Sequence, residues 1–102
     1  MKFAPTDPDA DMTPLRRARL RLWQRARTDR DRHRWTGIAV AEAAEIDQGH
    51  LSRIEHAKAR AMPEQAERLV RVFPPSTLNE LHVLYPERFM RPAARRARTN
   101  GA

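Results

Sequence analysis

Residues 46–60 read IDQGHLSRIEHAKAR. Asp47 has the short acceptor side chain that a helix start needs. Ile46 just before it and Leu51 four residues after it are spaced for a hydrophobic staple across that start. Leu51 and Ile54 fall on one side of the resulting helix, while Gln48, Gly49, Ser52 and Arg53 fall on the other. The stretch is half a core helix and half a polar face, with a basic exit at Lys58 and Arg60. What the polar face serves depends on the chain around it.

Immediately upstream, Thr36 is placed to cap a short Ala-rich helix, GIAVAEAAEI, whose small side chains let a neighbouring helix approach closely. Further back, Thr13-Pro14 is an N-cap followed by proline at the first helical position. Leu15, Ala18, Leu22, Trp23 and Ala26 then form one apolar stripe of a helix over about 14–27, with Arg16, Arg17, Arg21 and Arg25 off it. The following TDRDRHRW alternates in charge without an apolar period, and reads as a solvated extension of that helix or as a loop. Downstream, Met62-Pro63 opens a fourth helix with a stripe of Ala66, Leu69, Val70 and Phe73, stopped by Pro74-Pro75. Ser76 or Thr77 starts a fifth, with Thr77 and Glu80 as a capping box and Leu78, Leu81, His82, Leu84 and Tyr85 following before Pro86. No period-two strand pattern appears. The expectation is an all-α protein of five helices, a single domain over 13–90, with a disordered N-terminal tail over 1–12 and a basic disordered tail over 91–102.

Charge is unevenly spread in this chain of 102 residues with net charge +7. Residues 14–35 carry nine Arg against two Asp, while residues 36–90 carry six basic and eight acidic side chains. The tail adds Arg91, Arg95, Arg96 and Arg98. Such a field favours polyanions through steering and counterion release. The preference for Arg over Lys, which stands only at 2 and 58, is what a GC-rich genome would produce, but that bias does not explain clustering. Without cysteine, disulfides and thiolate metal sites are excluded. No apolar run reaches bilayer length, and the Pro- and Asp-rich start lacks the apolar core of a secretory signal, so a soluble cytoplasmic protein is expected.

From Thr36 the chain reads TGIAVAEAAEIDQGHLSRIEHA. This resembles, in register and without gaps, the pattern S/T-Q-x-x-L-A-x-x-x-G-V-S-x-x-x-I-S-x-I-E-x-G of the phage repressor and Cro type of helix-turn-helix, the xenobiotic-response-element family. Thr36, Val40, Ala41, Ile46, Leu51, Ser52, Ile54 and Glu55 match or are conservative. The resemblance is close over Thr36 to Lys58 and looser out to Tyr85. It implies a five-helix lambda-repressor-like fold with the helix-turn-helix at about 36–57, Ala41 at the contact of the two helices, and Ile46, Leu51 and Ile54 as buried anchors. The sequence departs from the pattern in four ways. Glu45 stands where the turn usually has Gly, which would put a side chain on a left-handed backbone. Gly37 replaces a Gln that contacts phosphate in the family, and Ala57 replaces the Gly after the third helix. The spacing from the first helix to Thr36 is also about three residues long, an excess that DRDRHR takes up.

The resemblance assigns roles by position. Gln48, Gly49, Ser52 and Arg53 face the major groove, where Gln can read adenine and Arg can read guanine. Thr36, Gly37, Lys58 and Arg60 lie toward the phosphates, with His50 at the margin of the groove. Lys58 and Arg60 also suit a helix C-terminus simply by charge. Glu55 matches a position that pairs with an Arg of the first helix. Arg27 fits the family's spacing from Trp23, and Arg19, on the face of Leu15 and Leu22, is the other candidate. Family members commonly dimerise through the segment after the fourth helix, which makes Leu78, Leu81, Leu84 and Tyr85 candidates for a homodimer on a palindromic operator. Taken singly, each of these four is as readily explained by the core, or more so.

Of His33, His50, His56 and His82, none is three or four residues from another, so no metal ligand set is expected. No nucleophile with a placed base and no Gly-rich phosphate loop is present, and neither an enzyme nor a cofactor is expected. The leading expectation is a sequence-specific regulator of transcription that binds double-stranded DNA, a homodimeric repressor. Two alternatives stand beside it: an antitoxin-like or adaptor module that docks a protein, and a sequence-independent nucleic-acid binder.

Overall fold

The computed structural model describes residues 12–90, and apart from Met12 the two tails expected to be disordered lie outside the described residues. The described chain is all-helical: α1 (Pro14–Arg25), α2 (Asp29–His33), α3 (Gly37–Ala44), α4 (Gln48–Glu55), α5 (Pro63–Val72) and α6 (Glu80–Leu84), closed by a 3₁₀ turn over Pro86–Arg88. None of these helices is long and apolar enough to cross a membrane.

The helices begin where short side chains can accept a first-turn amide. Thr13, Thr36 and Asp47 cap α1, α3 and α4 by accepting from Arg16, Ala39 and His50 at 3.2, 3.2 and 3.1 Å. The segment expected to extend the first helix or to form a loop contains instead a separate helix. Ala26 turns extended (ψ 135°), and Thr28 accepts from the Asp31 amide to restart the chain as α2. Six helices therefore replace the expected five. Trp23, assigned to the inward stripe of the first helix, is 39% exposed and lies under the Arg32 guanidinium at 5.5 Å from its ring.

The last helix also starts later than its sequence suggests. Asn79, not Thr77, is the cap: its side chain accepts from the His82 amide, and the His82 ring accepts from the Asn79 amide. This shifts the inward face, so that Val83 is buried and Leu81 is half exposed. Leu78 precedes the helix and is buried in the core of its own chain.

α3 packs on both α4 and α5, α5 continues onto α6, and α1 lies against α2 and α6. Val40, Ala41, Ala44, Ile46, Leu51 and Ile54 form the shared core of the α3–α4 pair, joined there by Leu15 of α1 and Leu69 of α5. Trp35 leans on Phe73 at 5.3 Å between ring centroids and covers one side of this core.

Three described non-glycine residues have a left-handed backbone, Glu45, Ala57 and Ser76 (φ 68°), and the first two close helices. Glu45 (φ 59°) ends α3 and Ala57 (φ 60°) follows α4, both in the left-handed region. At each the chain closes the helix with the same pair of amides. Glu45 N donates to Glu42 O and Ile46 N to Ala41 O at 3.1 and 2.9 Å, while Ala57 N donates to Ile54 O and Lys58 N to Arg53 O at 3.1 and 2.8 Å. This double closure is the Schellman arrangement, which glycine accommodates without a Cβ clash. A left-handed non-glycine residue costs about 1–2 kcal/mol, partly offset by glycine's greater unfolded freedom. Glu45→Gly and Ala57→Gly are each expected to stabilise the protein by about 0.5–1 kcal/mol, and to add in the double variant because they share no partner. Thermal unfolding followed by circular dichroism would then show a rise of several degrees for each. A fall at either site would contradict this account of the turns.

Candidate nucleic-acid interface

The end of α4 is tied to α1 by polar bonds to Glu55, which is 3% exposed. Its carboxylate accepts twice from Arg19, at 2.6 Å from Nε and 2.9 Å from Nη2. The third arm of the same guanidinium, Nη1, donates to the Trp35 carbonyl at 3.0 Å, just ahead of the α3 cap. The backbone carbonyl of Glu55 in turn accepts from the buried Thr13 hydroxyl at 2.8 Å. Arg19 thus grips the start of α3 and the end of α4 together, and Thr13 adds a second tie to the end of α4. A planar fork with five donors suits this double task as an ammonium would not.

Arg27, the residue that family spacing favoured for Glu55, is exposed in the α1–α2 connection and does not pair with it. α1 has already ended at Arg25, so the helical phase that would aim Arg27 inward is lost. On the far side of α3, Arg68 of α5 donates to the Ala44 carbonyl at 2.7 Å and neutralises the negative end of that helix.

With its inner face tied down, α4 presents Gln48, Gly49, Ser52 and Arg53 on the outside, all exposed, with His50 half exposed beside them. The side chains of Gln48, Ser52 and Arg53 make no hydrogen bond or ion pair among the described residues. Gly49 leaves room here. A Cβ on it would stand 3.1 Å from the Asp47 cap carboxylate and 3.7 Å from the Arg53 guanidinium. At the exit, His56 Nδ1 meets the Ser52 carbonyl at 2.8 Å, and Lys58 is exposed.

The residues expected beside the phosphates divide. The Thr36 hydroxyl is committed within the fold, donating to His33 O at 2.9 Å and accepting from the Ala39 amide. What remains at this helix start is the first-turn amides of Gly37 and Ile38, which have no intrahelical acceptor by helix geometry. A Cβ at Gly37 would meet nothing within 4 Å. Arg60 is engaged within the fold: its guanidinium donates to the Leu84 carbonyl at 2.9 Å and pairs with Glu87 at 3.3 Å, tying the loop after α4 to the end of α6. Those partners lie 24 and 27 residues away, beyond any local pattern.

Of the four dimerisation candidates, Leu81 and Tyr85 are exposed at 51% and 40%. Leu78 is internal, and Leu84 packs partly against the core. Among the described residues no group of three or more His, Cys, Asp or Glu side chains is gathered as a metal site would require.

Thr13, Trp35 and Arg68 are supporting residues that sequence patterns did not single out. Thr13 is legible only as a cap, Trp35 acts through its backbone carbonyl, and Arg68 looks like any exposed helical arginine. No protein-family model, curated protein or solved structure matches this chain.

Proposed function

We propose that this protein is a sequence-specific regulator of the phage repressor and Cro type, with a lambda-repressor-like fold, in which α4 lies in the major groove of double-stranded DNA. The observation that carries this reading is the division of α4 by face. Its inner side is fixed by Leu51, Ile54 and a buried ion pair, while the Gln48, Ser52 and Arg53 side chains stand outward with no hydrogen-bond or ion-pair partner among the described residues. Rigid support behind unengaged hydrogen-bonding groups is what direct readout of base edges needs. The left-handed backbone at Glu45 and Ala57 supports it further, because these are the two turn positions where the family pattern has glycine. Gly37, Ile38 and Lys58 meet the phosphates, and Arg53 reads guanine.

The protein acts as a homodimeric repressor, with the exposed Leu81 and Tyr85 at the contact between copies. That same apolar pair is what an adaptor-like module would use to dock another protein. Selection from a pool of random duplexes separates the readings. A palindromic motif with half-sites about one helical turn apart is expected to be enriched. Salt-sensitive binding with no enriched motif would leave a sequence-independent nucleic-acid binder, and no DNA binding at all would leave the protein-docking module.

A further inference from the structure

A second concave surface lies on the other side of α1, lined by no residue of α3 or α4. It is an open cleft of about 470 Å³ between α1 and the segment around α6. That volume is within the range of small-molecule sites. One wall carries Arg17, Arg21 and Arg25, on successive turns of the same helical face. Neither α1 nor the cleft lining contains an acidic residue. Arg17 holds the Met12 carbonyl at 3.3 Å, while Arg21 and Arg25 make no hydrogen bond or ion pair among the described residues. Like charges at i and i+4 repel along the helix face, a repulsion that a bound anion would relieve.

The opposite wall supplies the hydroxyl-bearing Ser76 and Thr77, and the His82 ring stacked edge-on against Phe89 at 4.5 Å. Because His82 Nδ1 accepts from the Asn79 amide, the neutral ring carries its proton on Nε2 and is a donor there. Burial first, and then the nearby Arg17 charge, hold this histidine below its usual pKa. Leu22 and Phe89 add apolar surface beside these polar groups.

We propose that this cleft binds a small organic anion, a carboxylate or phosphate ester on a planar apolar body, with Arg21 and Arg25 holding the oxyanion and Leu22 and Phe89 receiving the ring. Fork-like guanidinium groups match both oxyanions, and the apolar surface selects an aryl ligand over a bare ion.

The test is an amide NMR titration of the full chain with phenyl phosphate, benzoate, inorganic phosphate and benzyl alcohol in turn. Phenyl phosphate or benzoate is expected to give saturable shifts at Arg21, Arg25, Thr77 and His82, with α4 unmoved. Affinity should be at least about tenfold above that for inorganic phosphate or benzyl alcohol. Which of the two aryl anions binds more tightly identifies the ligand class. The bound anion should also raise the His82 pKa, since it opposes the Arg17 charge. Arg21→Ala with Arg25→Ala, both at solvent-facing positions, should lose at least about tenfold in affinity while keeping the fold. Equal binding of inorganic phosphate and the aryl anions, or shifts that survive the double substitution, would overturn the proposal. Neither result bears on DNA selection by α4, whose residues the cleft does not include.

Discussion

Arg19→Ala is expected to lower the free energy of unfolding by about 3–5 kcal/mol, the range for stranding one member of a buried ion pair. The side chains are 14% and 4% exposed for Arg19 and Glu55, so the truncation strips a largely buried carboxylate of both its charged donors. The Trp35 carbonyl loses its donor in the same stroke. A domain of this size has a total stability of roughly 5–15 kcal/mol, so the loss is a large share of it. Urea denaturation followed by circular dichroism measures it directly. Arg27→Ala, the control, should change stability by no more than about 0.5 kcal/mol because its side chain is exposed. Arg19→Met combined with Glu55→Leu should cost much less than Arg19→Ala, since no buried charge is left alone. Equal effects of Arg19→Ala and Arg27→Ala would refute the assignment of Arg19 as the clamp.

The second large effect concerns DNA. In the proposed complex, Arg53→Ala removes a bidentate contact worth about 1–3 kcal/mol of discrimination. A dimer carries two copies, so binding to the selected operator should weaken by roughly 2–6 kcal/mol, about 30-fold or more. Gln48→Ala should act in the same sense at an adenine. Binding to unrelated duplexes should stay nearly constant, because phosphate contacts supply that background. Electrophoretic mobility shifts on the operator and on a scrambled duplex give the two numbers. Unfolding by urea should be unaltered, since both side chains are exposed and unengaged. Equal weakening on both duplexes would make Arg53 a phosphate ligand and remove it from base readout.

Much of the α3–α4 pair is legible in the residues themselves. Thr36 and Asp47 cap, Pro14 and Pro63 open helices, and Ile46, Leu51 and Ile54 are buried, each because its chemistry acts on neighbours within four residues. The resemblance to a family pattern also drew attention to Glu45 and Ala57 as positions where glycine would be expected, and both have positive φ. The start of α6 is ambiguous in the sequence because Thr77 and Asn79 are both good caps two residues apart. The extra helix α2 went unrecognised because a five-residue charged segment has no apolar period to detect.

The helical class, most of the helix starts and the inward residues of α4 follow from capping chemistry and helical periodicity over a few residues, and so are readable along the chain. Packing selects which arginine meets Glu55, ties Arg60 to Leu84 and Glu87, and puts Leu78 inside while Leu81 and Tyr85 stay outside. Those choices depend on where α1 stops and on the angle at which α6 returns to it. An arginine side chain has several equally good local partners. The one it takes is set by which carboxylate or carbonyl the packed core has already removed from water.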